Sequence, residues 1–120
     1  MSGSPTPQQI DDQLGKLSAQ LETVCDDLDR EELAAVVARE DYTMAFAKSF
    51  LSSTGAMDVR KQTALDDTHD ERLAAETAEA IVRGLVRRLK TIQSRIDTGR
   101  TRSANSRSEH NLARTGAWGA

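Results

Sequence analysis

Eight cationic side chains gather towards the end of this chain: Arg83, Arg87, Arg88, Lys90, Arg95, Arg100, Arg102 and Arg107. Arg83, Arg87 and Lys90 follow one another at i, i+4 and i+7, so a helix would line them up, with Arg88 and Arg95 close by. A row of guanidinium groups suits a phosphate backbone, because each planar fork donates paired hydrogen bonds to phosphate oxygens. Arg100, Arg102 and Arg107, spaced by Ser and Asn, would add contacts. No base-reading motif accompanies them. The chemistry they imply is sequence-tolerant, salt-dependent binding of a polyanion, with single-stranded nucleic acid the best match. An anionic membrane surface fits less well, because the basic face lacks interfacial aromatics opposite it.

Other chemistries have weaker footing. His69 lies among Asp66, Asp67, Asp70 and Glu71, but a metal site needs several convergent ligands with supporting contacts, and carboxylates on one polar segment normally face solvent. Glu76 and Glu79 form one ExxE pair of the kind that holds magnesium in helical nucleotide pyrophosphohydrolases. No ExxD follows it, and one pair seldom suffices. There is no GxSxG, no local Cys–His pair and no Gly-rich phosphate loop. A non-enzymatic protein without cofactor or metal is expected. Trp118-Gly119 lies too near the end of the chain to be the turn of a WxG hairpin.

Charge is divided along the chain. Residues 1–82 carry 7 Lys/Arg against 17 Asp/Glu, whereas residues 83–120 carry 9 against 2, within a net charge of −3. Such asymmetry hints at a polyanion-binding end. The alternative is that acidic and basic faces pair within or between subunits. Hydrophobic residues make up 38% of the chain, but many are alanine and only four residues are aromatic, so bulky core side chains are scarce. Elongated helices sharing seams between subunits therefore fit better than a compact monomer. The single cysteine excludes an intrachain disulfide. No apolar run approaches the roughly 20 residues that span a bilayer, and no signal peptide is visible. A soluble, cytoplasmic protein is the default expectation.

The elements that must position these residues read as helices. Thr6-Pro7 marks a helix start, and Ile10, Leu14, Leu17, Leu21, Val24 and Leu28 recur at alternating steps of four and three. Cys25, beside that seam, reads as a small half-buried hydrophobe. Asp29 with Glu32 resembles a capping box, so a second helix is expected over 30–53; one continuous helix is the alternative. Leu33, Val36, Val37, Met44, Ala47 and Leu51 would form its apolar face. Tyr42, Phe46 and Phe50 make a stripe beside it, which at helical spacing is more often core than a base-stacking platform. Gly55 ends the helix in a left-handed cap.

A third helix is expected from 57 to 104, with one long helix favoured over a break at a Thr68–Glu71 capping box. Ala75, Ala78, Val82, Leu85, Leu89, Ile92 and Ile96 form its seam, which needs a partner helix. An oligomer seam of Leu14, Leu17, Leu21, Val82, Leu85, Leu89, Ile92 and Ile96 is the expectation. The fold class is all-α: an elongated helical hairpin of coiled-coil-like helices, oligomeric, one domain over 1–110. Gly99 would loosen or end the third helix, and residues 111–120 would form a flexible basic tail.

The run Ala47-Lys48-Ser49-Phe50-Leu51, a polar turn, Arg60-Lys61-Gln62-Thr63-Ala64-Leu65, and a long amphipathic helix ending Ile92-Gln93-Ser94-Arg95-Ile96 resembles the UvsY-type recombination mediators of tailed bacteriophages. The similarity covers about residues 42–109. It implies a helical-hairpin protein that assembles into a ring and binds single-stranded DNA without sequence preference. It further implies help in loading a recombinase while single-strand-binding protein is displaced, in the bacterial host cytoplasm. Arg60 and Lys61 match part of that family's basic patch. Where the patch would continue, this chain has Asp66, Asp67, His69 and Asp70, so the distal arginines are the better candidates here. The competing expectation is a coiled-coil structural or adaptor protein that acts without nucleic acid.

Overall fold

A computed structural model describes Gly3 and residues 5–115 of the chain. These residues form three helices and no strand: α1, Pro7–Ser52; α2, Met57–Asp67; α3, His69–Thr115. None of them is long and apolar enough to cross a membrane. The contacts gather into two compact units. Unit one comprises Met1–Cys25 and Arg87–Ala120; unit two is Asp26–Val86.

Local chemistry sets the helix ends. The Gln9 backbone N–H donates to Thr6 Oγ1 at 3.1 Å, while the Thr6 N–H donates to Gln9 Oε1 at 2.9 Å, a reciprocal capping box with Pro7 just inside it. At the far end Gly55 takes φ 107°, the left-handed conformation expected of it. No start occurs at Asp29, so helices over 7–28 and 30–53 are replaced by one. Neither Pro nor Gly interrupts residues 16–52, and Asp27 pairs with Arg30 along the helix at 2.9 Å instead of capping one.

Thr68 separates α2 from α3, which corrects the expected uninterrupted helix over 57–104. Its φ of −112° departs from helical geometry, and its Oγ1 donates back to the Ala64 carbonyl at 2.6 Å. That bond bends helices. The backbone ladder survives on either side, with Thr68 N–H bonding Ala64 and Arg72 N–H bonding Thr68. The Thr68–Glu71 capping box does not form. Beyond Gly99, α3 continues unbroken to Thr115, past the expected end at 104. Gly99 serves close approach: a Cβ there would lie 2.7 Å from Leu14 Cδ2. The remaining tail, 116–120 with Trp118, lies outside the described residues.

In unit one, Ile10, Leu17 and Val24 of α1 are buried, as are Ile92 and Ile96 of α3. Burying each such side chain contributes about 1.5–3 kcal/mol. Leu14, Leu21 and Leu89 of the same unit are half-buried, as are Val82 and Leu85 within unit two. Within unit one, Leu17, Ile92 and Ile96 of the expected oligomer seam are buried between antiparallel α1 and α3 of the same chain. Heptad letters serve here to label positions along each helix: α1 places Leu14, Leu21, Leu28, Ala35 and Tyr42 at a, and α3 places Ala75, Val82, Leu89, Ile96 and Ser103 at a.

Unit two is built differently. Its buried residues are small, namely Ala35, Ala64, Thr68 and Ala75. Tyr42, Phe46 and Phe50 are half-buried, with Tyr42 edge-on to Phe46 at 6.1 Å and Phe46 stacked on Phe50 at 6.3 Å. Arg60 lies over the Phe50 ring at 4.7 Å and donates to the Phe50 carbonyl at 3.2 Å. The face expected to be the apolar interior points outward: Leu33 and Val36 are each 66% exposed and Leu51 is 76% exposed. Alanine at the inner positions lets the helices approach closely and leaves the bulky residues outside.

Candidate nucleic-acid interface

The unbroken course of α3 through Gly99 carries the distal cations along unit one. Arg87, Arg88, Lys90, Arg95, Arg100 and Arg102 are all exposed. None of them makes an ion pair among the described residues. Arg88, Arg95 and Arg102 occupy successive g positions, so they form one stripe two turns apart, about 10.5 Å per step. Arg87 and Lys90 point further outward, at f and b.

Facing that stripe, α1 offers amides in place of acids. Gln9 and Gln13 line one side of a cleft of about 540 Å³, and Ser94, Arg95, Thr98 and Arg102 line the other, with Ile10 and Leu17 at its floor. Two guanidinium groups, two amides and two hydroxyls in one open cleft can hold an anionic, hydrogen-bond-accepting ligand. The glutamines and Thr98 were not singled out in the sequence. The signal for them was the g-position spacing of the arginines opposite g-position Gln13.

The opposite flank of the seam is neutralised in part, with Arg100 exposed and Arg107 paired. There Arg107 pairs with Asp11 at 3.5 Å, and Ser103 donates to the same carboxylate at 3.3 Å. Arg107 is therefore engaged, although its side chain stays largely exposed. In unit two Arg39 grips Glu79 with both its Nε and Nη2, the first at 3.0 Å. These hydrogen bonds hold the Glu79 carboxyl below the usual carboxylate range, partial desolvation opposes them, and the Arg39 and Arg83 charges add to the lowering. The same hydrogen bonds push Arg39 up. Arg83 thus belongs to unit two and acts on Glu79.

The remaining expected residues fall elsewhere. Arg60 is half-buried and spent on Phe50, so it is removed from any exposed cationic row; Lys61 beside it is exposed. Cys25 is exposed, at a seam-flanking position, where a half-buried hydrophobe was expected. His69 contacts Arg72 at 3.1 Å, and no group of three or more His, Cys, Asp or Glu converges among the described residues. No family model, curated protein or solved structure matches this chain.

Proposed function

We propose that this chain is a helical accessory protein that binds single-stranded DNA without sequence preference, in recombination or replication of the kind served by UvsY-type mediators. One observation carries the reading: a stripe of exposed arginines on α3, free of acidic partners among the described residues, beside a cleft lined by amides and hydroxyls. Phosphates replace the missing acids, and amides and hydroxyls accept or donate to bases and sugars without selecting sequence.

Titration of fluorescent oligo-dT at several salt concentrations tests it. Each neutralised phosphate contributes about −0.7 to the slope of log K against log salt, so three stripe contacts give about −2. Arg95→Glu with Arg102→Glu should weaken binding about tenfold or more and flatten the slope, with helicity unchanged because both side chains are exposed. Absence of binding at low salt, or binding indifferent to salt, would refute the reading. A second reading, an adaptor working through helix–helix contact, is favoured by the outward apolar face of α1 in unit two.

A further inference from the structure

We propose that the outward face of α1 between Leu33 and Leu51 is where a second copy of this chain docks, antiparallel and face to face. Leu33, Val37, Glu40, Met44, Ala47 and Leu51 recur at steps of four and three, occupying the f and c positions opposite the intrachain seam. This is a second seam on one helix, about 27 Å long at 1.5 Å per residue. Leu33, Val36, Val37, Met44 and Leu51 are all more than half exposed on it. Met57, Val59, Leu73 and Ile81 of unit two are exposed as well, but they are divided between α2 and α3, whereas these five stand on one helix.

The seam matches itself. Full antiparallel overlap of two copies sets Leu33 against Leu51, Val37 against Ala47, and Glu40 against Met44, and each layer occurs twice by symmetry. Charge then selects this occupant. Within unit one the ion pair Asp11–Arg107 joins e positions three residues before Leu14 and eight after Gly99, which meet in one layer, and in unit two Arg39–Glu79 joins e positions as well. The same outward step from the proposed self-paired layers brings Asp41 of one copy to Lys48 of the other, and Lys48 to Asp41. The two attractions are reciprocal. Both side chains are exposed and make no ion pair among the described residues. Glu40, the one charge in the seam, adjoins Asp41 and shares the same lysine, so it fixes the register.

Light scattering and sedimentation of the full-length chain over a concentration series test the pairing. The expected mass at high concentration is twice the 13.1 kDa of one chain, falling on dilution. Lys48→Asp turns two attractions into two repulsions and should raise the dissociation constant about tenfold or more, with helicity unchanged. Asp41→Lys combined with Lys48→Asp restores the complementarity and should return the constant to within about threefold of the original. A single-chain mass at every concentration would overturn the proposal, as would association indifferent to Lys48→Asp or unrestored by the exchange. A basic helix of another protein as the occupant would give the first of these outcomes.

Discussion

Arginines of one composition do three different jobs in this chain, and their immediate neighbours decide which. Arg60 stacks on Phe50 and caps the end of α1, Arg39 holds Glu79, and Arg95 and Arg102 face amides. The sequence showed the cations but not these partners, because each partner comes from another helix. The Arg39–Glu79 pair carries a pH signature. The Glu79 carboxyl lies below its ordinary value in the fold, so the pair's contribution is fully present above the unfolded value, about 4.3. It is lost as pH falls through the folded value. Both partners are partly open to solvent, which keeps the contribution modest. Glu79→Gln should therefore lower the thermal midpoint at pH 7, and the gap from the parent chain should close in strongly acidic solution. Urea or thermal melts at the two pH values check this; a gap that persists unchanged in acid would show that Glu79 stabilises through something other than its charge.

At the scale of the elements, α1 in unit two buries Ala35 and turns Leu33, Val36, Val37, Met44 and Leu51 outward. Ala75 of α3, with 0% exposure, has no room to grow, so Ala75→Leu should cost about 1–3 kcal/mol of stability. Leu33→Ser, on the outer face, should stay within about 0.5 kcal/mol in dilute solution. Urea denaturation of the two variants reads the difference, and the reverse ranking would mean that the faces had been exchanged. This inversion explains what could be read beforehand. The Thr6-Pro7 start, the Gly55 cap and the α3 seam from Ala75 to Ile96 were legible because each rests on local chemistry or on bulky side chains at regular spacing. The inner face of α1 around Ala35 was not, because alanine carries little hydrophobic signal while Leu33, Val37 and Met44 carry much. An acidic cluster at Asp26–Glu32 looked like a helix start, yet a charged stretch without Gly or Pro can simply continue. The Thr68 bend turns on a hydroxyl bonding backwards, which the residue type alone does not announce.

Across the whole molecule, charge follows the two compact units. Unit two holds 14 acidic and 7 basic residues, a net −7, while unit one holds 9 basic and 5 acidic, a net +4. The proposed roles follow the same division: the acidic unit bears the self-docking face, and the basic unit bears the arginine stripe. Each copy that joins through unit two adds one more cationic unit to the assembly. A strand long enough to engage two such units should then bind more tightly than one that engages a single unit, since the second contact becomes intramolecular. For the parent chain, affinity for oligo-dT should climb by about tenfold or more as the oligonucleotide lengthens beyond a single site. Lys48→Asp leaves every stripe arginine in place but separates the copies. Its affinity for short oligo-dT should match that of the parent, and its gain with length should shrink to the statistical increase in sites. Fluorescence titrations with a length series at fixed salt measure both quantities. Equal length dependence in the two proteins would mean that docking through α1 does not serve strand binding, whereas a loss of short-strand affinity would place Lys48 itself on the DNA.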